Sequence, residues 1–233
     1  MARPTKKEQI PNLAEAIKDT AWAQIARKGA AALSLRAIAR KLGITAPAIY
    51  NYYPDRDALV TALIVDAFTS LGESQKQTIR DLSKNDLAGR FTALGLAYRN
   101  WALTYPQRYQ LIFGTPLSNY EAPAEITLPV ASQSLLPLLE TIQSFSDAGR
   151  LRTDLLAPRT PALDAMLLAW HEVLPGMDLE VLYAGLITWS RVHGLVSMEI
   201  GNHLPSFFTD PGEIFRREIH HQLIQYLTNV NTG

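Results

Sequence analysis

Residues 34–59, SLRAIARKLGITAPAIYNYYPDRDAL, constrain this chain most, because they demand two short helices around one glycine and then start a third. Ser34 is a natural N-cap, and Leu35, Ile38, Ala39 and Leu42 behind it follow the i, i+3, i+4, i+7 rule of a core-facing stripe. The polar residues of this helix, Arg36, Arg40 and Lys41, are all basic. Gly43 supplies a left-handed backbone position, so one helix stops and another begins almost at once. Thr45 is expected to cap the second helix. At about 100° per residue, Ala48, Ile49 and Tyr52 then face inward, with Tyr52 packed in the core, while Ala46, Pro47, Tyr50 and Asn51 face outward. Pro47 is tolerated because first-turn N–H groups have no intrahelical partner to lose. Pro54 closes this helix, with Tyr53 at its exit, and Asp55 caps the next.

Two helices joined by so short a turn form a helix-turn-helix. The outward face of its second helix is small, flat and uncharged. A helix that reads base edges in the major groove needs such a face: an apolar Pro47 suits a thymine methyl, and Asn51 offers hydrogen bonds. Charge supports the same reading. Residues 1–60 hold ten Lys or Arg (Arg3, Lys6, Lys7, Lys18, Arg27, Lys28, Arg36, Arg40, Lys41, Arg56) and five acids (Glu8, Glu15, Asp19, Asp55, Asp57), a net of +5. The whole chain is neutral, with 22 basic and 22 acidic residues, so the remainder carries −5. One end favours a polyanion and the other does not.

The spacing LxLRxIARxLGI over 33–44, the recognition segment TAPAIYNYYPDRDAL over 45–59, and a preceding helix ending at Lys28 and Gly29 resemble the DNA-binding domain of the TetR family of transcriptional regulators, over roughly residues 10–65. The resemblance implies that Arg36 reaches a base edge or phosphate, that Thr45 and Tyr50 hold phosphates, that Ala46, Pro47 and Asn51 lie where bases are read, and that Arg56 holds a phosphate at the start of the fourth helix. Double-stranded DNA carrying an inverted repeat is the implied partner.

Beyond this segment the pattern stays helical, and the expected class is all-α: a DNA-binding domain at 1–57 and a larger helical regulatory and dimerisation domain at 58–233. Helices are expected at 55–82, 86–105, 106–113, 128–145 with Pro129 at its start and a kink at Pro137, 161–173, 178–200 and 210–228, with a loop at 146–159. The apolar fraction of 47% over 233 residues is enough for a substantial core. No apolar run reaches the roughly 18 residues of a membrane span. The segment MARPTKKEQIP lacks the apolar stretch of a signal peptide. A cytoplasmic protein without membrane association is expected, and zero cysteine removes disulfides and thiolate metal sites.

The segment 178–200 is apolar nearly all round. Leu182, Leu186, Trp189, His193, Val196 and Ile200 form one stripe, and Leu179, Tyr183, Ile187, Leu195 and Met198 cover other sides. Such a helix must be covered on two faces, and a symmetric homodimer through 178–202 and 210–228, as a four-helix bundle, is expected. Trp189, His193 and Gly194 are similar to the Trp-His-Gly motif of one type of TetR C-terminal domain, which implies binding of a small-molecule effector of unknown identity. Trp101, Tyr105, Phe113, Trp170, His171, Trp189 and His193 are the candidate ligand residues, each weighed against ordinary core packing. Adjacent helical residues diverge by about 100°, so His171-Glu172 and His220-His221 are not chelates. No metal, no cofactor and no catalytic residue is expected. The combined expectation is a ligand-responsive regulator, a repressor released from its operator. The alternatives are an all-helical carrier or enzyme with a vestigial helix-turn-helix, and an activator on the same fold.

Overall fold

The computed structural model describes residues 11–226, and the ends of the chain, including Arg3, Lys6, Lys7 and the expected helix end at 227–228, lie outside the described residues. Among the described residues there are ten α-helices and no strand. They are α1 (Leu13–Lys28), α2 (Leu35–Leu42), α3 (Ala46–Tyr50), α4 (Arg56–Ile79), α5 (Leu87–Thr104), α6 (Pro106–Phe113), α7 (Ala124–Asp147), α8 (Pro161–Val173), α9 (Leu179–Ile200) and α10 (Pro211–Tyr226). By contact, the chain divides into two units. One comprises residues up to Ala67 together with Gln107–Thr127, and the other Phe68–Pro106 together with residues from Leu128 onward. The first unit therefore includes residues on both sides of the division expected between 57 and 58.

In the first unit, α1 packs on α2, and α2 on α3. The buried residues are Ile17, Ala21, Trp22 and Ile25 from α1, Leu35, Ile38 and Ala39 from α2, Ile49 from α3, and Leu59, Val60 and Leu63 from α4, while Leu42 and Ala48, also expected to face inward, are half-buried. The unit is further tied by a carboxylate. Asp66 of α4 accepts from Lys18 Nζ at 2.9 Å and Trp22 Nε1 at 3.0 Å, and Arg108 of α6 lies 3.6 Å away with its guanidinium over the Trp22 ring. Thr61 and Tyr120 meet through their hydroxyls at 2.9 Å.

In the second unit α9 is the central element, packing on α5, α8 and α10. Its buried face is Val181, Leu182, Ala184, Gly185, Thr188, Val192 and Val196. This differs from the expected stripe: Leu182 and Val196 belong to it, but Leu186 is exposed and Trp189, His193 and Ile200 are half-buried. The buried face includes the small residues Ala184 and Gly185. A Cβ on Gly185 would run into the end of the Leu139 side chain of α7, so that leucine occupies the space a larger residue would need. Leu139, Leu167, Leu174 and Leu182 form one core cluster, onto which Trp170 packs. Two ion pairs fix α9 laterally: Arg99 of α5 to Glu199 in a bidentate pair at 2.8 and 2.6 Å, and Arg191 to Glu218 of α10 at 2.7 Å.

Most helix bounds fall within a few residues of expectation, and α8 matches it at both ends. The exception is α7, which starts at Ala124 and runs through both Pro129 and Pro137, so Pro129 is interior and not at the helix start. Among the described residues no helix is long and apolar enough to cross a membrane.

Candidate nucleic-acid interface

The turn that presents α3 is built from local hydrogen bonds. Ser34 Oγ caps α2 by accepting from the Ala37 N–H at 3.4 Å, while its own N–H donates to Gln24 Oε1 at 3.1 Å, anchoring the start of α2 to α1. Gly43 adopts φ 66° and ψ 23°. The N–H of Ile44 donates to Ala39 O at 3.0 Å and that of Gly43 to Arg40 O at 3.3 Å, the paired bonds of a Schellman motif. At the far side, Asp55 Oδ1 accepts from the Ala58 N–H at 2.7 Å and starts α4, as its sequence position predicts.

Ile49 is fully buried and fixes the rotation of α3, so Thr45, Ala46, Pro47, Tyr50 and Asn51 all lie exposed, Tyr50 at 41%. Arg36 is also exposed. Arg56 is folded back: its side chain is 29% exposed, with Nη1 3.3 Å from Asp57 and Nη2 3.4 Å from the Ala30 carbonyl. Two local expectations are corrected. Thr45 sits at the N-cap position but its side chain makes no capping hydrogen bond. Tyr52 is 48% exposed and not in the core, because α3 ends at Tyr50 and the chain turns there, which moves residue 52 off the helical register that pointed it inward.

Arg27 and Lys28 end α1, Arg40 and Lys41 end α2, and all four are exposed. They rim a groove of about 240 Å³ between these two helices. As cations in last turns they also complement the helix dipoles.

The candidate ligand residues are not brought into one site. Phe113 belongs to the first unit, where it meets Tyr109 edge-on at 5.2 Å. Trp101 is buried in the second unit, donates from Nε1 to Ser70 Oγ at 3.0 Å, and lies 6.2 Å from the ring of Tyr105, which is exposed. Trp170 covers the leucine cluster, and His171 Nδ1 is satisfied by the Met177 carbonyl at 2.9 Å, closing the turn after α8.

Trp189 and His193 form a second pair, with ring centroids 4.9 Å apart, and Tyr98 of α5 joins them, its hydroxyl 2.7 Å from His193 Nδ1. Burial pushes the imidazole below its ordinary range, favouring its neutral form. The neutral ring has one donor and one acceptor nitrogen, and hydroxyls stand beside both: Tyr98 Oη at Nδ1 and Ser197 Oγ 3.4 Å from Nε2. Beside this cluster lies a cavity of about 20 Å³ whose walls include Trp189 and Tyr98 together with Gln75 and Gln222, two buried carboxamides that the sequence reading did not single out. Gln222 falls on the same face of α10 as Phe215, Ile219 and Leu223, and a carboxamide interrupting an apolar stripe is the signal by which it could have been found. Among the described residues no group of three metal-binding side chains is present.

Comparison with known proteins decides the family. Residues 17–63 match the domain described as bacterial regulatory proteins, tetR family, and residues 91–222 match the Tetracyclin repressor-like C-terminal domain. The chain is 35% identical over 194 residues to an HTH-type transcriptional regulator of Mycobacterium tuberculosis, covering 82% of each chain. The chain belongs to the TetR family. A second relative from M. tuberculosis, an uncharacterized HTH-type transcriptional regulator, is 25% identical over 215 residues, covering 90% of this chain and 78% of the relative. Among solved structures, the regulatory protein SCO4313 superposes with a TM-score of 0.72 at 34% identity, over 91% of this chain and 98% of its own. A protein of unknown function from Rhodococcus sp. RHA1 shares the fold, with a TM-score of 0.70 at 19% identity over 95% of this chain and 97% of its own. The protein is thus a DNA-binding transcriptional regulator, a TetR-family member and not an enzyme.

Proposed function

We propose that this TetR-family regulator is a ligand-responsive repressor that binds an inverted-repeat operator as a homodimer in the cytoplasm and is released by a small molecule. The observation that carries the DNA half of this reading is the exposed face of α3, a platform of Thr45, Ala46, Pro47, Tyr50 and Asn51 held by the buried Ile49. In this reading residues 1–57 are the DNA-binding domain and 58–233 the regulatory and dimerisation domain. Ala46, Pro47 and Asn51 read bases. Thr45, Tyr50 and Arg56 hold phosphates, Arg56 after leaving its weak contacts at Ala30 and Asp57, and Arg36 reaches the groove edge from α2.

Dimerisation is supported by what α9 and α10 leave uncovered. Leu186, Met198 and Ile224 are exposed, and a Cβ at Gly194 would meet nothing within 4 Å. An open groove of about 610 Å³ runs between the two helices past Leu195, Ile214 and Ile224. A second copy laid on this face covers the apolar surface, and a symmetric dimer is what an inverted repeat with half-sites about 34–36 Å apart requires. An effector then acts by binding more tightly to the arrangement that misfits that spacing.

The test is selection of random duplex DNA by the purified protein near physiological salt, followed by sequencing. Enrichment of an inverted repeat is the expected result. Recovery of DNA without a shared sequence, or of a single unrepeated half-site, refutes the dimeric operator reading.

A further inference from the structure

Gln222 of α10 is 1% exposed, yet its Oε1 has no hydrogen-bond partner. Exchanging the two ends of the amide does not repair this. Its Nε2 donates to Glu218 Oε1 at 2.8 Å and to the Thr188 carbonyl at 3.3 Å, and both of these groups only accept. The orientation is therefore dictated, and Oε1 is left as a buried acceptor without a donor. Leaving such a group unsatisfied is costly in a folded protein. Gln222 lines the cavity beneath Trp189, whose other walls are mainly apolar, among them Phe91, Leu94, Leu138 and Ile219. In the form described, its volume of about 20 Å³ matches one water molecule.

We propose that this cavity is the polar anchor of the effector site assumed by the ligand-responsive reading, and that it takes a neutral, largely apolar molecule bearing one O–H or N–H donor, which Gln222 Oε1 accepts. A charged group is excluded, because no ionised side chain lines the cavity to compensate its desolvation. A ligand larger than water enters by moving half-buried Trp189 and Leu135 at the wall. That movement is felt where regulation needs it. Thr188, Trp189 and Val192 of α9 and Ile219 and Gln222 of α10 line the cavity, and the opposite faces of the same two helices are the ones proposed to meet a second subunit.

The donor requirement makes the proposal testable with two molecules of nearly equal shape, phenol and toluene, titrated calorimetrically into the full chain and located by nuclear Overhauser contacts to Leu94 and Ile219. In a purely apolar cavity the phenol hydroxyl is penalised and toluene binds better. With Gln222 Oε1 as acceptor, phenol is expected to bind at least as tightly as toluene. In Gln222→Met, phenol should lose about tenfold or more while toluene is retained. Should Gln222→Met fail to fold, the phenol-to-toluene ratio on the unaltered protein decides alone. Toluene binding much more tightly than phenol, neither binding, or contacts away from Leu94 and Ile219 overturns the proposal. Operator affinity is measured in the same samples. Phenol that binds as expected but leaves operator affinity unchanged upholds the site and refutes the ligand-responsive reading. An effector that releases DNA without protecting Leu94 or Ile219 does the reverse.

Discussion

Replacing Asp66 by Ala is expected to destabilise the unit that holds the helix-turn-helix by about 3 kcal/mol, worked from its three cationic or donor partners. Trp22 is buried, so losing the acceptor 3.0 Å from Nε1 strands an indole N–H, a cost of about 1–3 kcal/mol. Lys18 loses a charge-assisted bond at 2.9 Å but keeps Glu15 at 3.0 Å, so its loss lies near the lower end of about 1.5–3 kcal/mol. Arg108 at 3.6 Å is beyond hydrogen-bond range and adds little. Asp66→Asn keeps one acceptor and should lose about half as much.

Urea unfolding followed by circular dichroism reads the change. The shift in midpoint should be about 1 M for the Ala variant, at a slope of 2–3 kcal/mol per molar. The pH dependence is a second arm. Burial pushes the Asp66 carboxyl up, but the hydrogen bonds from Lys18 and Trp22 and the nearby positive charges outweigh it, leaving it below the ordinary range. A carboxyl lowered in the folded state contributes stability above its unfolded pKa of about 3.9, and this is lost as pH falls through the folded value. The difference between the unaltered chain and Asp66→Ala should stay level from about pH 5 to 8 and shrink only below about pH 4. A loss under about 1 kcal/mol, or equal losses for Ala and Asn, refutes the assignment of Asp66 as the shared acceptor.

Arg56→Ala should weaken binding to every DNA sequence alike and lower the slope of log K against log salt by about one contact, whereas Asn51→Ala should change which operator is selected; filter binding across a salt series separates the two. Gly43→Ala isolates backbone strain, since a Cβ there meets nothing within 4 Å and φ is +66°; thermal unfolding should show a loss of about 1–2 kcal/mol. His193 is held below its ordinary range by burial, so its contribution is complete above the unfolded value near 6.5 and is lost as pH falls through the folded value. His193→Gln should accordingly flatten the stability profile measured below about pH 6.5.

The helices were legible in the chain because their determinants are local. Ser34 and Asp55 cap the helices they precede, Gly43 adopts the left-handed turn, and Pro161 opens α8 one residue after the capping Thr160, all from contacts within a few residues. The exposed face of α3 was legible for the same reason, up to Asn51; Tyr52 was not, because the helix stops two residues short of it. What periodicity does not carry is which of several apolar faces wins. On α9 almost every side is apolar, and the buried one includes Gly185, against which the Leu139 side chain lies, a neighbour far away in sequence. Aromatic content suggested seven ligand residues, yet among them Trp189 meets His193 and Trp101 meets Tyr105 as separate pairs, since helix packing and not composition sets which rings share a space. The Asp66 network and the unmatched Gln222 acceptor likewise exist only once α1, α4 and α6, or α9 and α10, are side by side. Caps, turns and helical faces are thus properties of the chain, while the shared carboxylate, the rotation of α9 and the cavity are properties of its packing, because burial and hydrogen-bond satisfaction depend on neighbours that sequence distance does not reveal.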